Sequence, residues 1–552
     1  MKVVKKIILV IASVFTLTGC QDFLNPTQVN LVYNDVFWKT QADAEVGLAG
    51  VYSLYRGLMV NSDNWYGRAD ATTGFIKCGW NGGSSNRLYT LGVFNDPTND
   101  NKMWGSMEGM ADWSSFYKVI SQVNLVIDRV EKIDEKAFKT GEKQRILGEA
   151  YFLRALVYFD IMRIWGNAPL VVEVIESSGQ VINEDLVPIT VPRNDDVEIG
   201  FQVLEDVNKA VEYLEFGVPG SAEWGIFANK GSALALAGHV NLWMNFLTNR
   251  DKRDQDLNDR FGDKMEPKQY IKAAITALEE LRDKGGYSYI DYTEEGVKAL
   301  YKGASCEAIF ELNINPDANE SYRADLGGVT YYTCKMEPTN GDVKKDRSER
   351  VNFVPFGQKE YLYPEYDFET QSGDIRPHLF FDAWDSLYKD PISDTSTETN
   401  DRTLVTWMTK YAQFSLDSYA EQDEFTPYFA VCNLPVFRYT DAMLMLAEAY
   451  AKDNKDAKAI EIVDQIRDRA GLQPYSGKKE LIEEILTQRF GELFGEGHCY
   501  YDMVRNNFFP NDYLMDGTRY RQEAYYWPVS SGVLAMNSKI QQTPYWNGKT
   551  QW

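Results

Sequence analysis

Apolar positions recur at helical spacing along most of this chain, and two long stretches break the rhythm. Thr40-Gln-Ala-Asp43 opens an amphipathic segment through Tyr55, with Ala44, Leu48, Val51, Tyr52 and Tyr55 on one face. The next helical pattern runs from Trp113 to Ile133, with Phe116, Ile120, Val123, Ile127 and Val130 in register. Gln144 to Trp165 is apolar nearly all round, which predicts a helix buried among others, ended by Gly166-Asn167-Ala168-Pro169. Asp195-Asp196 caps a helix to about Tyr213, and further helices are expected over about Phe227–Phe246 and Pro267–Lys284. After the middle of the chain the period returns over Arg438–Ala451, Ala457–Ala470 and Lys478 to about Glu496. Beyond Asn506 the pattern is irregular and aromatic.

The two breaks differ in kind. From Arg56 to Asp112, Gly, Asn, Asp and Ser mix with Trp65, Tyr66, Trp80, Tyr89, Phe94 and Trp104. A loop of that length inside a compact protein is usually functional. From Asp291 to about Pro435, short apolar runs such as Ala308–Leu312 and Tyr361–Tyr363 alternate with dense turn signals, which predicts loops, short strands and hairpins on a helical frame. Arg438–Ala470 has the size of a tetratricopeptide unit, about 34 residues, and Ala442, Ala447, Ala449, Ala451, Ala457 and Ala459 let its two backbones approach closely. Residues 113–165 and 195–247 form similar pairs. The fold class expected is mostly α: a right-handed, tetratricopeptide-like array of helix pairs with a loop-rich, partly β region packed on it.

One apolar run is different. Ile7–Leu17 follows Lys2, Lys5 and Lys6 and leads into Leu17-Thr18-Gly19-Cys20. A basic start, a short apolar middle and small residues at the cut make a secretory signal over residues 1–19, too short for a permanent span of about 20 residues. The ending resembles a bacterial lipobox, which would leave Cys20 as the lipid-bearing first residue and anchor the chain without threading it through the membrane.

Composition narrows the partners. The chain has 552 residues and a formal charge of -24, and loss of the three leader lysines makes the mature chain more acidic still. Such a body repels nucleic acid and anionic lipid. Cys78, Cys306, Cys334, Cys432 and Cys499 are odd in number and widely spaced, so they read as buried small residues rather than a disulfide framework. His239, His378 and His498 form no metal-binding pair at helical spacing, and neither a nucleophile elbow nor a phosphate-binding loop is present. No cofactor is expected. Asp317, Asn319 and Glu320 could contribute to a calcium site, though a solvated loop is the plainer reading. An extracellular glycosidase would need a carboxylate pair that the sequence cannot single out.

Several blocks then carry a family resemblance. Gly148-Glu-Ala-Tyr-Phe-Leu-Arg-Ala-Leu-Val-Tyr-Phe-Asp160, followed by Trp165-Gly-Asn-Ala-Pro-Leu170, resembles the N-terminal signature of the SusD/RagB family. Arg438-Tyr-Thr-Asp-Ala-Met-Leu-Met-Leu-Ala-Glu-Ala449, Ile466-Arg-Asp-Arg-Ala-Gly-Leu472 and Arg489-Phe-Gly-Glu-Leu-Phe-Gly-Glu-Gly-His498 with Asp502-Met-Val-Arg505 are similar to its C-terminal blocks. His498 stands where that family commonly has Arg. Trp527-Pro-Val-Ser530 and Asn537 to Tyr545 resemble its closing segment. These blocks read physically as scaffold: Glu149 and Arg154 should pair with neighbouring helices or cap carbonyls, Arg489 with Glu492, and Asp502 with Arg505.

The resemblance implies a signal peptide over 1–19, a SusD-like N-terminal region over 20–230 and a C-terminal region with ligand-facing loops over 231–552. It also implies a cell-surface lipoprotein of the outer membrane, without enzymatic activity, that captures a nutrient and delivers it to a SusC-like TonB-dependent transporter. A glycan oligomer is the first ligand class implied; a peptide, or a purely structural role beside the barrel, are the alternatives. Aromatic rings suit stacking on sugars, with Asn and Arg to bond hydroxyls. The candidate ligand residues are Trp65, Tyr66, Trp80, Asn81 and Trp104 in the first break, then Tyr322, Arg323, Tyr331 and Trp384 in the second.

Overall fold

In a computed structural model, the residues described are 37–60, 68–73, 76–78, 108–174, 191–250, 255–313, 351–353, 373–382, 388–389, 404–405, 407–408, 410, 432–509 and 515–550. Helices dominate them. α1 (Gln41–Val60), α2 (Ser114–Lys132), α3 (Glu142–Trp165), α4 (Asp196–Tyr213) and α5 (Lys230–Thr248) come first. Then come α6 (Gln255–Phe261), α7 (Pro267–Lys284), α8 (Glu294–Lys302) and α9 (Arg376–Phe380). α10 (Tyr439–Lys452), α11 (Asp456–Arg469), α12 (Leu481–Leu493) and α13 (Cys499–Asn506) complete the frame, with short α14 (Gly517–Arg521) and α15 (Ser531–Met536) behind it.

The helices pack in a running series: α1 on α2, α2 on α3, α3 on α4, α4 on α5, α5 on α7, α7 on α10, and α10 on α11 and α12. This is the helix-pair scaffold expected. Its start and stop signals are local. The Glu198 carboxylate accepts from the Asp195 N–H at 3.1 Å ahead of α4, Asn229 Oδ1 accepts from the Gly231 N–H at 2.8 Å to cap α5, and Pro267 opens α7 where its missing N–H costs nothing. Gly166 ends α3 at φ +67°, and a Cβ there would meet the Tyr526 ring at 2.7 Å, so this turn needs glycine twice over. α3 is buried along almost its whole length, and one continuous apolar core runs from α1 to Trp546. Among the described residues no helix is long and apolar enough to cross a membrane.

Short strands lie on this frame. β1 (Ile76–Cys78) pairs antiparallel with β3 (Val351–Phe353). β2 (Ala308–Leu312) pairs antiparallel with β8 (Leu434–Arg438), with register shifts at Phe310, and both strands are buried throughout. β4 (Phe381–Asp382) pairs with β7 (Trp407–Met408), and β5 (Tyr388–Lys389) with β6 (Leu404–Val405).

Three expectations need correction. The turn-rich pattern from Asp291 predicts loops and strands, yet α8 forms there because Thr293 caps it, its side chain accepting from the Gly296 N–H at 3.0 Å, and Val297, Leu300 and Tyr301 share a buried face. Cys306 is exposed, although Cys432 and Cys499 are buried. Arg489 does not pair with Glu492: it reaches Asp441 and Asp502, while Glu492 is taken by three other guanidiniums. Arg154 does pair between helices, bidentate on Asp206, Glu149 bonds Tyr52 of α1, and Arg505 pairs with Asp502 at 2.8 Å.

Candidate functional site

The two breaks in the helical pattern are rooted together. The first is closed at its base by Arg68, whose guanidinium donates to the Met110 carbonyl at 2.8 Å and lies 5.3 Å from the ring centres of Phe116 and Trp165. Two residues on, Asp70 accepts from the backbone N–H groups of Gly497 and Cys499 at 2.8 and 3.0 Å, fastening the loop base to the start of α13. Within the second break, just past β2, Arg56 of α1 donates to the Asn313 carbonyl at 2.8 Å. β1, from the first break, pairs with β3 from the second, and β3 lies against β7, which pairs with β4. Trp80 and Asn81 follow β1 by two and three residues, and Trp384 follows β4 by two.

Below that β patch sits a dense buried ion cluster. Arg438, the last residue of β8, bonds Glu307 at 3.1 Å and Glu496 at 2.7 Å, and also donates to the Glu492 carbonyl. Arg469 of α11 reaches Glu307 and Glu492 at 2.6 and 2.8 Å. Arg376 of α9 bridges Asp374 and Glu492, and Lys410 bonds Glu496 at 2.9 Å. Burial alone would raise the Glu492 carboxyl, but Arg469, Arg376 and Arg438 overcome it and hold it at about 2.

Beside the cluster the balance changes. A cleft of about 40 Å³ is lined by Tyr55, Asp160, Arg163, Glu496, His498 and Tyr501, among others. Asp160 pairs there with Arg163 at 2.6 Å and is hydrogen-bonded to Tyr55, while Arg163 Nε lacks a hydrogen bond. Burial pushes Asp70 up to about 7 against its two backbone bonds, and pushes His498 down to about 4 despite Asp441. His239 of α5 bonds Asp441 of α10 at 2.7 Å, and the His239 and His498 rings are 5.4 Å apart between centres. Cys499 is adjacent, but burial and Asp70 push its thiol well up, the opposite of an activated nucleophile.

The sequence-chosen residues Cys20, Trp65, Tyr66, Trp80, Asn81, Trp104, Tyr322, Arg323, Tyr331 and Trp384 all lie outside the described residues, as do Asp317, Asn319 and Glu320. The His239–Asp441–His498 grouping was missed because its members are far apart in sequence; the one available signal was His498 in a position the resemblance gives to Arg.

The model of the SusD family matches residues 307–515, and a second model, described as starch-binding associating with outer membrane, matches residues 83–242. Both models describe SusD-type proteins, and together they match most of the chain. Its similarity to SusD-like protein P38 of Formosa agariphila runs end to end: 25% identity over 97% of this chain and 98% of that one. Among solved SusD structures, a homolog from Bacteroides thetaiotaomicron superposes with a TM-score of 0.65 at 23% identity, covering 92% of this chain and 99% of that chain. A laminarin-binding SusD-like protein superposes with a TM-score of 0.63 at 20% identity, covering 92% and 99%. These solved structures share the SusD fold. The family blocks of the sequence fall where they should, since Glu149, Arg154, Arg438, Arg489 and Arg505 are all buried in polar pairs.

Proposed function

We propose that the chain is a nutrient-binding protein of the outer membrane that takes a glycan oligomer on its β patch, without bond chemistry, and passes it to a SusC-like TonB-dependent transporter. The observation that carries this reading is the shared root of the two aromatic segments. β1 and β3 join the breaks that hold Trp80 and Trp384, and Arg56 ties the first to Asn313 in the second. A platform of rings contributed by both segments is the arrangement that grips a sugar chain by stacking, with Asn81 and Arg323 as hydrogen-bonding partners. Two relationships support it: the family description of starch binding in association with the outer membrane, and a similar fold whose protein binds laminarin. Lipid attachment at Cys20, at the cell exterior, is part of the same reading and rests on Leu17-Thr18-Gly19-Cys20.

Titration calorimetry of the purified chain against glycan oligomers and peptides tests it. Saturable heat with one glycan class is expected. Heat with peptides alone would replace the glycan reading by peptide capture, and silence across the panel would favour a structural role beside the barrel. Cys20→Ala should release the protein from membranes in cells lacking the barrel; a variant still fully membrane-bound would contradict lipid anchoring.

A further inference from the structure

Three separate elements bring nitrogen and oxygen donors to one buried point. His239 comes from the middle of α5, Asp441 from the first turn of α10, and His498 from the residue before α13. One ligand atom from each lies within 4.8 Å of the other two, and all three side chains are buried. We propose that His239, Asp441 and His498 form a binding site for a divalent transition metal of the zinc class.

The geometry suits that ion. Ligand atoms at about 2.0–2.1 Å from a tetrahedral zinc lie about 3.3 Å apart, and the attached imidazole centres then lie about 5 Å apart. The two ring centres already stand 5.4 Å apart, but the rings are stacked with planes 13° from parallel, so one ring must rotate before both nitrogens can face one ion. Closing the donors from their present spread takes a shift of about an ångström, within reach of small side-chain rotations. The His239–Asp441 hydrogen bond at 2.7 Å opens as the ion replaces the shared proton. Asp441 can serve as a one-oxygen ligand, because its other oxygen is held by Arg489 at 2.8 Å, and Arg489 is itself held by Asp502. Such hydrogen-bonded support of a ligating carboxylate is what orients a metal site.

A second observation points the same way. The cleft reaches His498 and is lined there by Tyr55 and by the Asp160–Arg163 pair. It has room for a water beside His498, the fourth ligand that three protein donors leave open. The charges around the point are Asp441, Asp502 and Asp160 with Arg489, Arg163 and Arg68, and Arg505 also holds Asp502, so an entering ion relies on its three ligands rather than on a net negative surrounding. Two imidazoles and one carboxylate favour zinc, cobalt or nickel over calcium and magnesium, which take oxygen ligands. The inference is independent of the glycan reading.

The chain has only three histidines, so their ring resonances can be separated. The purified chain, stripped with a chelator, would be titrated with Co²⁺ and then Zn²⁺. The expected result is one equivalent of Co²⁺ giving visible absorption of a four-coordinate site, displaced by Zn²⁺, with the His239 and His498 rings shifting on Zn²⁺ and the His378 ring unmoved. His498→Arg and His239→Gln should each lose the band. Absence of the band in the wild type, an unchanged band in His498→Arg, or a shift confined to His378 would overturn the proposal. If neither variant folds, the ring shifts of the wild type alone decide it.

Discussion

Two buried polar regions share Glu496 and behave in opposite ways. Around Arg438, cations match or outnumber what each carboxylate needs: Glu492 touches Arg376, Arg438 and Arg469, and its carboxyl stays ionised down to about 2. Around the cleft, burial wins. Asp70 rises to about 7, His498 falls to about 4, and burial raises the Asp160 carboxyl even though Arg163 pairs with it. The first region fixes one arrangement of β2, β8, α9, α11 and α12. The second keeps a small cleft inside the same frame, next to the base of the aromatic loop. A buried charge cluster therefore says little by itself; the match of charges decides whether it locks a fold or leaves it able to take something up.

The largest break in that contrast is Arg438→Ala. It strands Glu307 and Glu496 in the interior, and loss of about 3–5 kcal/mol is expected from urea unfolding. A loss below about 1 kcal/mol would mean the cluster is not the lock described. Next is Glu492→Gln, which sharpens the electrostatic half. The folded carboxyl lies below its ordinary 4.5, so its contribution is present above that pH and is lost as pH falls toward about 2. The variant should show a shallower acid limb than the wild type between pH 4.5 and 2.

Asp70→Asn examines the other side, with the opposite sign. The folded carboxyl binds its proton more tightly than the unfolded one, so wild-type stability should fall as pH rises from about 4 to about 7. Removing that group should raise the variant relative to the wild type across the same window, read from melting temperatures at stepped pH. The smallest effect is expected at Arg260→Ala. Arg260 lies at the surface among Asp195, Asp256 and Glu198, where solvent screens the pairs, and no measurable change in melting temperature should follow.

Much of the frame was legible because helices announce themselves locally. Asp195 and Asp196 marked the start of α4, Pro267 and Lys284 bounded α7, and the apolar run Ala308–Leu312 became β2. α8 was missed because its nine residues sit in a turn-rich region, and its decisive signal is a single Thr293 cap. Arg489 misled because a partner one helical turn away is easy to see, whereas Asp441 lies 48 residues away and comes close only after α10 and α12 pack. The His239–Asp441–His498 point was invisible for the same reason: no spacing rule links positions on three different elements. The common root of the two aromatic breaks was equally hidden, since the pairing of β1 with β3 joins residues far apart along the chain.

The central claim is that both aromatic segments serve one glycan surface. Titration of a glycan that the wild type binds against Trp80→Ala and Trp384→Ala tests it most directly. A loss of affinity of at least about tenfold in both variants, with unchanged melting temperatures, is expected from removing a stacked ring worth about 1.4 kcal/mol or more. Full affinity in either variant would contradict a single shared surface.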